Sequence, residues 1–286
     1  MRRAPQGLIC LGTLAVLIFS GVGGIACSID SAKNHYVLAE KLWTDRNYAA
    51  AVSEFDKVTA KDPRGKLGLQ ALFRSATTQA LFLSEYNDAI RKLKTYVQRS
   101  TDPQTTWEAQ LQMGDIFFSK TEQYDQAITL YQSLLKQKPN CIEAPELLFR
   151  IGQSRFFQYH FDEAVQTYQE ILKRFPRTEW GERASLEIGN THLTKLEQNP
   201  DDEKQDHGKC KQAMAAFQSF LKTYPQSRFV PQARFGIASC FEELDRLEEA
   251  YKAFSELKPV YPAAKVIEIK LSRIKERIAK KGSRVN

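Results

Sequence analysis

The feature that most limits what this chain can become is a spacing. Tyr48-x-x-Ala51-Val52-x-x-Phe55, closed by Pro63, returns as Tyr86, Ala89, Ile90, Leu93 and Pro103, and again as Tyr124, Ala127, Ile128, Tyr131 and Pro139. Three further copies follow: Phe161, Ala164, Val165, Tyr168, Pro176; then Cys210, Ala213, Met214, Phe217, Pro225; then Leu247, Ala250, Tyr251, Phe254, Pro262. The alanines step by 38, 38, 37, 49 and 37 residues, a fixed period broken by one insertion. Self-similarity at such a period belongs to stacked repeats, in which each supersecondary unit buries its apolar side on its neighbours.

Each copy predicts two helices, because apolar residues recur at i, i+3, i+4 and i+7 on both sides of a short polar turn. In copy four, Leu147, Leu148, Ile151 and Phe156 precede the turn, and Phe161, Val165, Tyr168, Ile171 and Leu172 follow it. A small residue in the first helix (Gly114, Gly152, Gly189 or Ala238) lets the second helix approach closely, and proline ends each copy because it cannot continue a helix. Copy two has Ala76 and Thr77 where glycine is expected, and copy five has Cys210 in place of an aromatic. Its insertion, Asn199 to Gly208, reads as a solvated acidic loop or a partner-specific contact.

These residues at this spacing resemble the tetratricopeptide repeat, with three or four extra residues per copy. The resemblance implies an all-α fold, a right-handed α-solenoid of about six hairpins over residues 31–64, 67–103, 105–139, 142–177, 180–226 and 229–262 within an array spanning 27–262. A last helix from about Ala264, with Ile267, Leu271, Ile274 and Ile278 on one face, is expected to cap the open end, in a basic segment covering 263–286.

Composition agrees with a folded helical chain: 42% hydrophobic and 26% charged residues, with 14 Gly and 11 Pro, exclude disordered, collagenous and disulfide-dense classes. The formal charge of +7 is local, since eight basic residues from Lys265 to Arg284 face only Glu268 and Glu276. The repeats themselves are near neutral, which argues against nucleic acid as a partner. The basic face of the last helix serves either solubility or contact with anionic headgroups or an acidic protein.

The N-terminus differs from the rest. Arg2 and Arg3 precede a charge-free run from Gly7 to Ile25, and the run ends on Gly23-Gly24-Ile25-Ala26-Cys27. A signal peptide over 1–26 is expected. The small residues ending in cysteine resemble the lipobox of bacterial lipoproteins, which implies lipidation of Cys27; Gly24 stands where that family usually has Leu. A secretory signal cleaved without lipidation and an uncleaved anchor are the alternatives. Ser28 after the cysteine implies the outer membrane, with the body facing the periplasm, a soluble periplasmic protein being the alternative.

No GxSxG, HExxH or GxxxxGK[ST] motif occurs, no cysteines have CxxC spacing, and His35, His160, His192 and His207 are scattered. No catalytic residue, metal or cofactor is expected. Cys210 and Cys240 sit at similar distances from the turn near Gln226, which makes them a candidate disulfide or a simply buried pair.

In the repeat family, residues three before and one, four and five after the small position face the concave side. Carried over, the groove has Tyr36, Glu40 and Trp43; Arg74, Thr78 and Phe82; Asp115 and Phe118; Phe149, Gln153, Phe156 and Phe157; Asn190 and Leu193; Phe235 and Glu242. Exposed aromatics beside single charges suit a peptide groove, although some of these rings are expected to pack into adjacent turns. A lipid-tethered array of this kind resembles the repeat lipoprotein of the outer-membrane β-barrel assembly machine. That resemblance implies binding of other envelope proteins or peptide segments, membrane contact only through the lipid, and no small-molecule substrate. The periplasmic coordinator of Tol and cell division and a pilus-secretin pilot lipoprotein are the alternatives.

Overall fold

The computed structural model describes residues 22–197 and 203–285. The expected signal peptide therefore lies outside the described residues except for its last five, as do residues 198–202 of the insertion and the side chain of Cys27.

All regular structure among the described residues is helical. Helix α1 (Val22–Thr44) packs on α2 (Tyr48–Lys61), α3 (Lys66–Thr78) on α4 (Tyr86–Arg99), and α5 (Pro103–Ser119) leads into α6 (Tyr124–Gln137). Then α7 (Ala144–Phe157) packs on α8 (Phe161–Arg174), α9 (Glu179–Glu197) on α10 (Glu203–Thr223) and α11 (Val230–Glu243) on α12 (Leu247–Leu257), and α13 (Ala264–Val285) packs on α12. The chain forms two compact units, one through Gln110 and one from Leu111, so the division falls within α5. Among the described residues no helix is long and apolar enough to cross a membrane.

The recurring positions are the core. Ala51, Ala89, Ala127, Ala164, Ala213 and Ala250 are each 0% exposed, and the residues four further on are equally enclosed. These include Phe55, Tyr131, Tyr168, Phe217 and Phe254, among the largest fully buried side chains of the protein. The glycines in the first helices leave room for those rings: a Cβ on Gly152 would stand 2.5 Å from Tyr168 Cε1, and one on Gly114 would stand 2.4 Å from Tyr131 Cε1. Both distances are below van der Waals contact, which is why the pattern demands a residue without a side chain there.

The turn inside the hairpin also repeats in five of the six copies, that of copy five lying outside the described residues. Arg46, Ser84, Glu122, Tyr159 and Asp245 adopt φ of 60°, 56°, 51°, 64° and 54°, each two residues before its second helix. The N–H of the next residue then reaches back to the first helix, as in Asn47 to Leu42 O (2.8 Å), His160 to Arg155 O (2.9 Å) and Arg246 to Phe241 O (2.9 Å). A left-handed residue that closes such a bond satisfies carbonyls the helix end would otherwise leave open.

Two copies depart from the expected form. In copy two the first helix ends in a π-helical turn, Gln79–Leu83, and Thr78, expected in the groove, is buried and donates its hydroxyl to Arg74 O at 2.7 Å. In copy five, the insertion read as a loop is helical from Glu203 onward, so Cys210 lies inside α10 rather than at its start. Beyond Pro200 that segment has no helix breaker until Gly208, and its polar residues lengthen the helix rather than interrupt it.

Candidate protein-binding site

In the first unit, five of the expected groove residues come together. Glu40 on α1 accepts two hydrogen bonds from Arg74 on α3, at 3.0 and 2.8 Å, and the Arg74 guanidinium lies over the Trp43 ring at 4.8 Å. Trp43 meets Phe82 edge-on at 5.8 Å, and Phe82 stacks on Tyr48 at 4.1 Å. Tyr36 packs edge-on against Phe55 at 5.6 Å, and partial burial followed by the Glu40 charge pushes its hydroxyl above the ordinary tyrosine range. The Glu40–Arg74 pair thus neutralises itself and fixes the rings, while Phe82 keeps 44% of its surface exposed, with Leu81 beside it at 66%.

The second unit builds the same constellation. Phe118 on α5 meets Tyr124 at 6.0 Å and Phe157 at 6.2 Å, Phe157 stacks on Tyr124 at 5.4 Å, and Arg150 lies over Phe118 at 4.8 Å. The Tyr131 hydroxyl donates to Asp115 at 3.4 Å; burial pushes the Asp115 carboxyl up, and the Arg150 charge opposes that shift. Phe157 is 46% exposed, whereas Phe118, expected to be an open anchor, is covered by Arg150 and its neighbouring rings to 8%.

The two clusters correspond residue by residue: Glu40 with Asp115, Trp43 with Phe118, Tyr48 with Tyr124, Arg74 with Arg150, and Phe82 with Phe157, each pair 75 or 76 residues apart. Tyr48, Tyr124 and Arg150 were not among the expected groove residues. The signal that could have found them is this double period, because the cluster needs three helices and so repeats over two copies rather than one.

Farther along the second unit, Gln153 and Phe149 on α7 line a cavity of about 220 Å³ with Arg183, Leu186 and Glu187 on α9 and with Phe229. Asn190 donates to Glu187 at 3.3 Å. Glu187, also missed in the sequence, sits one position outside the expected groove register.

The end of the array is closed on itself. Glu242, expected in the groove, has a fully buried side chain that accepts from Lys270 at 2.8 Å, from Arg273 Nε at 2.9 Å and again from the second Arg273 nitrogen. Burial alone would raise its pKa, but the hydrogen bonds from Lys270 and Arg273 outweigh it and hold the carboxyl below its usual range. Arg277 donates to Asp245 at 3.0 Å, and Lys281 joins it. Four cations of the basic helix are therefore engaged by its own unit, and the open basic face expected from the charge count is largely consumed. Phe235 is likewise occupied, stacked on Tyr261 at 5.0 Å.

Cys210 and Cys240 are both buried in the core between α10 and α11, as free thiols within hydrogen-bonding reach of each other. That contact, together with burial, pushes the Cys240 thiol far up.

Among solved structures, PilW, described as a widely conserved type IV pilus biogenesis factor, aligns over 85% of this chain and 97% of its own, with a TM-score of 0.50 and 14% identity. YrrB, described as a TPR protein with an unusual peptide-binding site, covers 74% of this chain and 96% of its own at 16% identity and a TM-score of 0.48. Pseudomonas aeruginosa PilF covers 88% and 99% at 12% identity and a TM-score of 0.47. At 14% identity the likeness to PilW is one of fold. No curated protein is significantly similar in sequence. The family model described as YfiO, outer membrane lipoprotein, matches residues 67–266, from the second hairpin into the terminal helix and hence well over half of the chain. An all-α array of tetratricopeptide hairpins matched over that length belongs to the YfiO outer-membrane lipoprotein family.

Proposed function

We propose that the chain is a non-catalytic scaffold of the bacterial envelope that holds other envelope proteins on its ring clusters and serves the assembly of outer-membrane β-barrels. In this reading Cys27 carries the lipid, and the repeats face the periplasm. One observation carries the binding role: Phe82 and Phe157, at equivalent places two repeats apart, remain nearly half exposed while Arg74 and Arg150 beside them are held by ion pairs with Glu40 and Glu146 and lie over Trp43 and Phe118. Rings held rigid but open lose little entropy when a partner covers them, and such aromatics dominate interface energetics. Family membership supports the envelope setting.

The test is Phe82→Ala combined with Phe157→Ala, in cells and in affinity purification from detergent-solubilised envelopes. Expected are loss of the captured partners, lowered levels of outer-membrane barrels, and an unchanged helical spectrum. Normal barrels with chained cells would move the function to division, and unchanged capture would remove the ring clusters as the site. Changing Cys27→Ser is expected to release the protein from the membrane fraction or to leave an unprocessed precursor; normal processing with membrane retention would defeat the lipid anchor.

A further inference from the structure

The cavity lined by Phe149, Gln153, Glu187 and Phe229 differs in chemistry from the ring clusters. In those clusters each arginine has its own carboxylate, Arg74 with Glu40 and Arg150 with Glu146, whereas among the described residues no ion pair reaches Glu187. Its hydrogen bond comes from the neutral Asn190 amide. Arg183 lines the same cavity, but its guanidinium donates to Glu179 at 2.8 Å and lies over the Trp180 ring at 4.9 Å. A carboxylate partly withdrawn from water and lacking a paired cation is unfavourable. Burial accordingly pushes Glu187 above the usual carboxylate range, against smaller opposing effects of Asn190 and Arg183.

We propose that this cavity receives a lysine or arginine side chain of an extended protein segment, with its aliphatic stem along Phe149 and Phe229 and its cationic head against the carboxylate of Glu187. The chemistry of the walls supports this occupant over others. Aromatic faces attract both the methylene stem and the charge of a cation, the carboxylate accepts a charge-assisted hydrogen bond, and the Gln153 amide oxygen offers a further acceptor. The volume of about 220 Å³ suits a single side chain rather than a folded element. An acidic or phosphorylated residue would bring a second negative charge to a carboxylate that already lacks a partner. The assignment rests on the scaffold reading and deepens it: the ring clusters supply apolar anchorage, and this cavity selects a basic residue in the bound segment.

The experiment uses the full chain and fluorescein-labelled heptapeptide pools, acetylated and amidated at their ends, with one central residue fixed and the others randomised. Fixed arginine is compared with fixed citrulline, its neutral isostere, and with fixed glutamate, by fluorescence anisotropy. The arginine pool is expected to bind about tenfold more tightly than the citrulline pool. Glu187→Gln should abolish that preference without lowering the melting temperature, since the neutral amide removes a poorly solvated charge, and Glu187→Arg should turn the preference toward glutamate. A pool fixed at phenylalanine reports on the ring clusters separately. If that pool binds while arginine and citrulline bind alike, the cavity assignment is overturned and the scaffold reading survives. If neither the phenylalanine nor the arginine pool binds, both fall. Should a Glu187 variant lose its fold, the arginine-to-citrulline ratio on the unchanged protein still decides.

Discussion

The same tie between consecutive structural positions is made at both ends of the chain, with opposite results. In the first unit Glu40 and Arg74 meet across successive hairpins with 39% and 37% of their side chains exposed, and the arginine remains stacked over a tryptophan beside an open phenylalanine. In the second unit Glu242 stands one helical turn further along the first helix of copy six, at the place Trp43 holds in copy one; its partners come from α13, and its side chain is completely enclosed. An acid facing a further hairpin helps orient rings toward solvent; an acid facing the terminal helix becomes a fastening. The element stacked on a groove acid thus decides whether that acid stays open to solvent or is enclosed.

Five measurements would break or sharpen this contrast. The largest effect is expected beside the fastened end, at the thiol pair. In an oxidising compartment a disulfide-carrying oxidoreductase would accept the two electrons and two protons released when Cys210 and Cys240 join. Closing that loop is worth about 3.7 kcal/mol in the chain-entropy model. Because both thiols are buried and the ionisation of Cys240 is suppressed, the bond should form during folding. Protein purified without reductant and then denatured should show only Cys141 reactive; finding Cys210 and Cys240 reactive as well would leave this end held by packing and ions alone.

Next comes Glu242→Ala, which removes the acceptor of Lys270 and Arg273. Their heads can still reach water, so the loss should be about 2 kcal/mol rather than the full penalty of a stranded buried charge. Hydrogen exchange along α13 should accelerate more than along α7 and α8. Acid offers a milder version of the same cut. Since the folded carboxyl titrates below its unfolded value of about 4.3, its stabilisation is present above that value and is lost as pH falls through the lower folded value. Exchange in α13 should therefore rise below about pH 4, and a flat profile there would contradict the enclosed pair.

Smaller still is Phe157→Ala, at about 1 kcal/mol, because half of the ring is already in water; a cost of several kcal/mol in a urea titration would make it core. Glu40→Gln should cost least, about 0.5 kcal/mol, as expected of an exposed pair. A loss equal to that of Glu242→Ala would erase the difference between the two ends.

The hairpins were legible because one period states their rule six times, and each alanine and ring in that rule has a single steric task. The groove register was legible in outline, since Trp43, Phe82 and Phe157 follow from positions within one helix. What escaped needs more than one helix to define it. Arg150 and Tyr124 join Phe118 only through packing across two copies, and Glu187 matters only because α7 and Phe229 close a cavity around it. Glu242 read as a groove residue and the lysines and arginines of α13 as an open basic face, because nothing in a helical pattern says that two charged stripes 28 to 31 residues apart will meet. The insertion in copy five looked like a loop because polarity mimics one, whereas the absence of a helix breaker after Pro200 was the better guide.

The left-handed residues at the hairpin turns carry a consequence for how such a chain can be adjusted. None of Arg46, Ser84, Glu122, Tyr159 and Asp245 is glycine, although each holds a φ that glycine adopts without penalty. Each of the first four turns therefore holds back about 1 kcal/mol that a glycine could release, whereas at Asp245 the same change would also cut the ties to Arg277 and Lys281; because stacked repeats contact mainly their neighbours, the gain would stay within its own hairpin. The array is in this sense a set of independent dials: one hairpin can be stiffened or relaxed at its turn while the rings, the cavity and the fastened end elsewhere keep their settings.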